Sequence, residues 1–327
     1  MTHHGDIRIG VSGWTYPPWR GNFYPRGLPQ KRELEYAARV FNAIEINGTH
    51  YSMQAPASFA AWAAAAPTDF VYAIKAPRYI THMLQLKGAE TALANFCASG
   101  LLALGPTLGP ILWQFPQRFR FDPDKLNAFF RLLPRTTAEA AALGRHHDHR
   151  LKARAWLRGG SQQPIRHAIE IRNEEFRHPT FIALLRRHDI ALVCADTVDW
   201  PLLMDLTSDF VYCRLHGSTE LYRSRYSDAE LDRWASRIRA WSSGATMTDG
   251  NFVTNPSSDR TPRDVFLFFD NTDKLQAPDN ARGLMARLGI AKETPNGEWN
   301  DPHRHGRLGV PRVAGRPVLP RGAEAER

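Results

Sequence analysis

The sequence predicts an α/β fold, a single-domain (β/α)8 TIM-type barrel, and three observations carry this prediction. Eight short apolar runs rich in Val, Ile, Phe and Tyr recur along the chain, and helical patterns separate most of them. No GxGxxG follows the first run, so a dinucleotide-binding sheet is not indicated. Open doubly wound sheets usually stop at about five or six strands, whereas eight βα units fit a closed barrel.

The predicted strands are short and mostly apolar on both faces, as expected of parallel strands that are covered on both sides. They occupy residues 7–12, 43–47, 70–76, 110–115, 168–172, 191–196, 210–216 and 265–270. Helical stretches are predicted at residues 31–41, 58–66, 90–105, 123–133, 179–188 and 228–241. The connection at 198–208 is short and shows no sustained helical pattern.

We assign residues 1–291 to the barrel and residues 292–327 to a basic tail that is predicted to be disordered. Two stretches interrupt the alternation of strands and helices, a basic one at about 137–163 and a polar one at about 244–262. The Arg-rich part at 145–158 lacks amphipathic periodicity, so we expect a solvated insertion. The formal net charge of +9 suggests anionic partners, but much of the excess lies in this insertion and the tail.

The composition also indicates in which cellular compartment we expect the protein. No run of about 18 apolar residues occurs, and the first ten residues lack the apolar core of a signal peptide, so we expect a soluble cytoplasmic protein without membrane contact. Cys97, Cys194 and Cys213 are far apart and form no CxxC motif. We therefore predict no disulfide and no structural zinc, and no cofactor is indicated. The sequence leaves the oligomeric state open.

The segment after the first strand, GWTYPPWRGNFYP at 13–25, contains five aromatic residues and three prolines. Pro17 and Pro18 lack backbone donors and have fixed φ, so neither a helix nor a central strand continues through them. The segment is therefore a loop. Because loops usually lie on the surface, one this rich in rings either folds back over the body or is shaped to meet a ligand.

Polar residues occur at the carboxyl end of every predicted strand from the second to the eighth. In a barrel, these ends converge on one mouth, where catalytic residues lie. The residues at these ends are Glu45, Asn47, Lys75, Gln114, Glu170, Arg172, Asp196, Arg214, His216, Asp270 and Asn271. A buried charge is costly unless it is paired, so the set either neutralises itself inside the barrel or forms a polar pocket. The number of ionisable groups favours the pocket.

Two kinds of chemistry suit these residues. Glu45 and Glu170 would act as general acid and base, with nearby cations deciding which carboxyl stays ionised. Alternatively, Lys75, Arg172, Arg214 and His216 would clamp a phosphate or a carboxylate, since an arginine fork suits bidentate anion recognition.

A divalent metal held by Glu45, Glu170, Asp196 and His216 is a weaker interpretation. One histidine and scattered acids specify little, and neighbouring Arg and Lys disfavour a cation. We therefore predict no metal, and keep a metal-dependent nuclease or isomerase only as a lesser alternative.

Familiar nucleophile and nucleotide motifs are absent from the sequence. It contains no GxSxG, no HExxH and no Walker motif, which removes support for a serine triad or a P-loop. His50 and His82 fall in βα loops, where an isolated histidine is more often a packing or surface residue than a catalyst.

Seven ordered motifs resemble the YecE-like family, also called domain of unknown function 72. They are IRIGVSGWTYPPWRGNFYP, FNAIEINGTHY, YAIKAPRYITH, GPILWQFP, HAIEIRN, ALVCADT and DFVYCRLHG, and the resemblance runs from residue 7 to residue 288. It implies a (β/α)8-type barrel of unestablished activity. The positions that fall on the family's motifs are Trp14, Tyr16, Trp19, Glu45, Asn47, Tyr51, Lys75, Pro77, Arg78, Tyr79, His82, Gln114, Glu170, Arg172, Asp196, Arg214, His216 and Gly217.

The sequence departs from the family pattern in three places. The arginine, histidine, proline run after the fifth strand reads Arg172-Asn173-Glu174, and the Ser-Thr-Phe-Tyr-Arg run after Asn47 is GTHYS. The first change removes a histidine and the second a cation. The eighth strand ends with Asp270 where the resemblance implies asparagine. The departures bear on whether this chain acts on the family's usual substrate.

These observations lead to one hypothesis and one alternative. The hypothesis is an enzyme acting on a polar anionic small molecule, such as a phosphorylated sugar or nucleotide. Its predicted catalytic residues are Glu45, Glu170, Lys75 and His216. Its predicted substrate-binding residues are Trp14, Tyr16, Trp19, Asn47, Tyr51, Arg78, Tyr79, Gln114, Arg172, Asp196, Arg214 and Asn271. The three rings of the first loop would form an aromatic wall beside the charged strand ends. The alternative is a non-catalytic nucleic-acid-binding protein that uses the basic segments and exposed rings.

Overall fold

A computed structural model describes residues 4–151, 154–158, 162–217, 224–247, 249–255, 259–270 and 276–293. Eight parallel strands pair in chain order, and the eighth pairs with the first to close a barrel. The strands are β1 (Ile7–Ser12), β2 (Ala43–Ile46), β3 (Val71–Lys75), β4 (Leu108–Gln114), β5 (His167–Glu170), β6 (Ala191–Asp196), β7 (Phe210–Leu215) and β8 (Asp264–Phe269). The predicted (β/α)8 barrel is confirmed, and every predicted strand end lies within two residues of the observed one.

Helices surround the barrel. Within the described residues they are α1 (Glu33–Val40), α2 (Gly48–Tyr51), α3 (Pro56–Ala65), α4 (Glu90–Ala98), α5 (Pro123–Leu132), α6 (Thr137–Gly144), α7 (Pro179–Arg187), α8 (Asp228–Ser243) and α9 (Ala277–Leu288). No described helix combines the length and the apolarity that crossing a bilayer requires.

Small and large side chains together fill the barrel interior. Alanines of β2, β3, β5 and β6 face the interior, as do four aromatic rings, Phe210, Tyr212, Phe266 and Phe268, of β7 and β8. The rings occupy the space that the alanines leave, which keeps the interior closely packed. The opposite faces of the strands pack against the helices in one large apolar core.

The structure corrects three expectations about the helices. The stretch predicted at 90–105 ends as an α-helix at Ala98, because Gly100 has a φ of 127° and a Cβ there would lie 2.6 Å from Pro56 Cα. Helix α6 begins inside the stretch assigned to an insertion, and α9 was not predicted. No helix forms at 198–208.

The basic segment at 145–158 is not simply solvated. Leu151 is buried, Trp156 packs against the main core, and the Trp156 backbone N–H donates to the carbonyl of Ala98 at 2.8 Å. The sequence pattern missed this because the apolar residues that anchor the segment, Leu151 and Trp156, stand apart among polar and basic residues. The predicted disordered tail lies outside the described residues, apart from Lys292 and Glu293.

Candidate active site

Alternate side chains of each strand face the barrel interior, and this alternation brings the predicted polar residues to one end of the barrel. Ala43, Ala73 and Ala168 face the interior, so residues two positions later, including Glu45, Lys75 and Glu170, face it at the carboxyl end. The same spacing applies to Arg214 after Tyr212. The charges therefore lie directly above the apolar layer of the barrel.

Arg214 is the centre of a buried ion cluster. It has no exposed surface, and its Nε and Nη2 donate to the two oxygens of Glu45 at 3.0 and 2.8 Å. Nη1 donates to Glu170 Oε2 at 2.5 Å, and Nη2 also donates to Asp270 Oδ2 at 2.8 Å. The guanidinium thus joins β7 to β2, β5 and the end of β8, and the three carboxylates hold its pKa well above its ordinary value despite burial, which opposes its charge.

The Glu45 carboxylate is fully occupied by protein donors. Besides Arg214, Tyr212 Oη donates to Oε2 at 2.7 Å and Ser12 Oγ donates to Oε1 at 2.9 Å. Glu45 has no exposed surface. The predicted general acid or base at this position is therefore sealed beneath the pocket and does not reach a ligand.

Glu170 is also completely buried. Burial opposes its ionisation, but the guanidiniums of Arg214 and Arg172 outweigh this effect and hold its pKa well below the usual range. Arg172 Nε donates to Glu170 Oε1 at 2.9 Å. Glu170 is consequently a fixed anion that orients two arginines.

Trp200, in the loop after β6, covers this part of the cluster. The Arg172 guanidinium carbon lies 4.1 Å from the centre of the Trp200 ring, a cation–π contact. The ring of His216, which is completely buried, contacts Trp200 edge-on at 5.4 Å. His216 Nδ1 lies 3.3 Å from Asp270 Oδ2, so this predicted catalytic residue lies within the buried cluster.

A cavity of about 570 Å³ opens above the cluster, and we call it the cationic pocket. Its lining residues are Tyr16, Asn47, His50, Tyr51, Lys75, Arg78, His82, Gln114, Arg172 and Asp270. The structure thus brings Tyr16, Asn47, Tyr51, Lys75, Arg78, Gln114 and Arg172 of the predicted site together at one cavity.

Lys75 lines the pocket and has a pKa well below the ordinary value of a lysine. It is nearly buried, and burial, with Arg214 next in importance, lowers its pKa from 10.5 to about 8. No carboxylate of the described residues lies within 4.0 Å of its ammonium group. Its charge is therefore directed to the pocket and exchanges a proton close to neutral pH.

His50 and His82 line the pocket as neutral rings. Burial, followed by the charge of Lys75, lowers the pKa of His50 to about 3 and that of His82 to about 4. His50 Nδ1 lies 2.7 Å from the carbonyl oxygen of Ala76, so Nδ1 carries the proton and Nε2 is an acceptor. Neither histidine was among the predicted site residues, because an isolated histidine in a loop is a weak signal, although His82 falls on a motif of the family resemblance.

The ring-rich first loop mostly packs against the body of the protein. Trp19 is completely buried and its ring centre lies 4.8 to 5.8 Å from those of Tyr16, Phe23 and Tyr24. Trp14 contacts Trp62 of α3. Of the predicted aromatic wall, only Tyr16 lines the cationic pocket, while the ring beside Arg172 comes from Trp200, which sequence reasoning missed.

Asp196 does not belong to the pocket. It shares a strand face with Leu192 and Cys194, which pack in the outer core, and it accepts a hydrogen bond from Trp234 Nε1 of α8 at 3.2 Å. Burial raises its pKa. The same alternation that correctly directs Glu45 and Arg214 inward directs Asp196 outward.

Two further predicted residues lie elsewhere. Tyr79 lines a second cavity next to the pocket, and Asn271 lies outside the described residues. The described residues contain no group of three or more His, Cys, Asp or Glu side chains suited to holding a metal ion.

Comparison with known proteins identifies relatives of this chain. The model of a family described as "Protein of unknown function DUF72" matches residues 8–304. The UPF0759 protein YecE of Escherichia coli K12 is 29% identical over 127 residues, 39% of this chain. The match spans less than half of that relative, 43% of its length.

Solved structures share the fold. A DUF72 family protein of Thermotoga maritima MSB8 superposes with a TM-score of 0.65 at 24% identity, covering 87% of this chain and 99% of that one. A DUF72 family protein of Enterococcus faecalis V583 gives a TM-score of 0.61 at 16% identity, with 88% and 97% covered. At these identities the likeness concerns the fold alone, and it agrees with the resemblance found in the sequence.

Proposed function

We propose that this chain, which belongs to the DUF72 family, is an enzyme that acts on a small polar anion in the cationic pocket. A phosphorylated sugar or a nucleotide-like compound is the substrate class that we infer. The family has no assigned activity, so the proposal rests on the site.

The observation that carries the proposal is that the charged groups accessible in the pocket are mostly positive. Lys75, Arg78 and Arg172 line the pocket, whereas Asp270 is the one carboxylate among the described lining residues and already pairs with Arg214 at 2.8 Å. Glu45 and Glu170 are sealed below. A ligand in this cavity therefore meets more positive than negative charge, and the Arg172 fork suits phosphate or carboxylate oxygens.

The pocket also offers neutral polar groups for the rest of such a molecule. Asn47 Oδ1 is buried and accepts no hydrogen bond from the described residues, and Gln114 lines the same cavity. A buried acceptor of this kind is costly unless a donor reaches it. A hydroxyl or an amine of the substrate would supply that donor.

Lys75 is the residue that we assign to proton transfer. Its pKa of about 8 lets it exist as amine and as ammonium near neutral pH, which general acid and base catalysis requires. Glu170 stays ionised and is bonded to two arginines, and Glu45 is inaccessible. We therefore assign the two glutamates to positioning Arg214 and Arg172, in place of the proton exchange that the sequence suggested.

A thermal-shift screen tests the proposal. Any ligand that prefers the folded state raises the melting temperature, so the panel contains phosphorylated sugars, nucleotides, short oligonucleotides and divalent metal ions. We expect stabilisation by one small anion and its loss in Arg172→Ala. The equivalent change at a remote exposed arginine, Arg39→Ala, serves as the control. Stabilisation only by oligonucleotides, lost at high salt, would instead favour the nucleic-acid-binding alternative.

A further inference from the structure

A second cavity adjoins the cationic pocket. It has a volume of about 500 Å³ and shares His50, Tyr51 and Arg78 with the pocket. Its other walls include Met53, Tyr79, Ile80 and Met83, so we call it the apolar groove. A molecule that fills the pocket can continue into the groove past the shared residues.

The groove gathers most of the exposed apolar surface. Among the described residues, five large hydrophobic side chains are exposed, and four of them, Tyr51, Met53, Tyr79 and Met83, line the groove. Exposed methionine and tyrosine forgo the free energy that burial would contribute, and clustered exposed apolar groups commonly mark a binding surface. Methionine side chains are flexible, so they fit ligands of different shape.

One wall of the groove has a fixed backbone. Tyr79–Met83 forms a π-helical turn, and Gln85 and Leu86 follow with φ angles of 47° and 68°. Ile80 and Leu86 are buried and anchor the turn, while Tyr79 and Met83 remain at the surface. Such turns are uncommon and occur often at functional sites.

Cations border the groove. Arg78 lies at the junction with the pocket, and Arg150 lies over the Tyr79 ring, with its guanidinium carbon 5.5 Å from the ring centre. Arg150 comes from the basic segment at 145–158 and also faces Asp148 at 3.6 Å. An apolar trough with cations along its edge suits a molecule that combines an anionic group with an apolar chain.

We propose that the substrate of the cationic pocket is an amphipathic anion whose head group binds beside Lys75 and Arg172 and whose apolar chain lies in the groove. This inference rests on the proposed function and narrows its substrate class. It assigns Met53 and Met83 as specificity residues that contact the chain and take no part in the chemistry.

A homologous series of ligands tests the inference. Inorganic phosphate and butyl, hexyl and octyl phosphate are titrated into the full-length protein at one pH and ionic strength. Each fully buried methylene contributes about 0.8 kcal/mol, or about fourfold in affinity, so we expect a steady rise along the series until the groove is filled.

Variants with side chains of the same length show whether the gain in affinity with chain length comes from the groove. Met53→Gln and Met83→Gln are exposed substitutions that keep side-chain length, and together they should lower the affinity for octyl phosphate about tenfold while leaving inorganic phosphate unchanged. Val198→Thr, at an exposed apolar residue that lines neither cavity, is the matched control and should change neither affinity.

The outcomes separate this inference from the proposed function. Equal affinity along the series, with binding lost in Lys75→Met, would leave the cationic pocket intact and overturn the groove assignment. Inorganic phosphate that binds Lys75→Met as tightly as the wild type would overturn the pocket instead, because the head group would then not meet the Lys75 charge. Octyl phosphate that fails to bind, while uncharged lipid vesicles bind through Met53 and Met83, would show a membrane contact and contradict the inference.

Discussion

At the scale of single residues, Arg214 determines the geometry of the site. It is completely buried and hydrogen-bonds the carboxylates of Glu45, Glu170 and Asp270. Replacing a buried ion cluster as a whole is often harmless, but removing one partner leaves uncompensated charges in a low-dielectric interior. Arg214 is the only cation that these three carboxylates share among the described residues, so its loss removes an ion-pair partner from all of them at once.

Arg214→Met is expected to lower the free energy of unfolding by about 3–5 kcal/mol. Urea denaturation followed by tryptophan fluorescence measures this change. The control is Arg39→Met, which removes an exposed helical ion pair with Glu35 and should cost no more than about 1 kcal/mol. Equal effects of the two substitutions would show that the cluster has no structural role.

Lys75 makes anion binding depend on pH. Burial lowers its pKa to about 8, so its positive charge is present below that pH and disappears above it. The affinity for sulfate, whose charge stays constant, should therefore fall at least about tenfold as the pH rises from 7 to 9.5, since a hydrogen bond to a charged group contributes about 1.5–3 kcal/mol. Lys75→Arg, which stays charged, should bind without this dependence. Calorimetric titrations at intervals of half a pH unit measure both, and a wild-type affinity that is constant over this range would contradict the assigned role.

The lowered pKa of Lys75 also makes the stability of the folded protein depend on pH in a definite direction. The folded protein releases the Lys75 proton near pH 8, whereas the unfolded chain releases it near 10.5. Stability contributed by Lys75 therefore rises with pH between these two values, because the unfolded state binds more protons there.

At the scale of elements, two helices end in the same way in different surroundings. Gly244 follows α8 and Gly289 follows α9, and both have a left-handed backbone with φ near 70°. A Cβ on Gly244 would lie 1.9 Å from the carbonyl oxygen of Arg260, whereas a Cβ on Gly289 would meet no atom within 4 Å. Gly244 is required because a side chain would clash and because its backbone is left-handed. Gly289 is required only because its backbone is left-handed.

Gly289→Ala should cost about 1–2 kcal/mol of unfolding free energy, the strain of an alanine in the left-handed region. Gly244→Ala should cost about 3 kcal/mol or more, because the overpacked carbonyl adds to that strain. Thermal unfolding of both variants compares them directly. A Gly244→Ala variant as stable as Gly289→Ala would contradict the packing at the end of α8.

The strands show what the sequence could and could not predict about the site. Alternation along apolar runs was enough to align Glu45, Lys75 and Arg214 at one end of the barrel. It misplaced Asp196, because a terminal polar residue marks a strand end but does not by itself show which face it occupies. Only the inward alanines and Val193 of β6 settle that face, and they are clear once the barrel is closed.

The loops were less predictable than the strands. Whether Trp19 faces a ligand or the core depends on where α1 packs, because Phe23 of the same loop lies against Tyr36 and Phe41 at 5.4 Å. Those contacts join residues from separate segments of the sequence, and local sequence patterns do not predict such contacts. Trp200 was missed for the same reason, since its stacking on Arg172 depends on the positions of two strands.

At the scale of the whole molecule, the site is contained within the barrel. The described residues that line the cationic pocket lie between Tyr16 and Asp270, on segments that the closed sheet holds together. Although much of the net charge of +9 lies in the basic segment at 145–158 and in the carboxyl-terminal tail together, the pocket's own cations arise from β3 and β5 and their following loops. The barrel alone should therefore suffice for anion binding.

A chain that ends at Glu293 should keep the melting temperature and the sulfate affinity of the full protein. It retains Lys292, whose ammonium lies 3.3 Å from Asp69. Binding of oligonucleotides, if it depends on the basic tail, would be lost in this chain. A loss of sulfate affinity on truncation would show that the tail contributes to the pocket.

The most direct test of the central claim is a calorimetric titration of glycerol phosphate into the wild-type protein, Arg172→Ala and Arg39→Ala. The site geometry predicts one saturable binding event in the wild type, at least about tenfold weaker binding in Arg172→Ala, and unchanged binding in Arg39→Ala. Equal binding by the wild type and Arg172→Ala, or no saturable binding in the wild type, would contradict an anion site at the carboxyl end of the barrel.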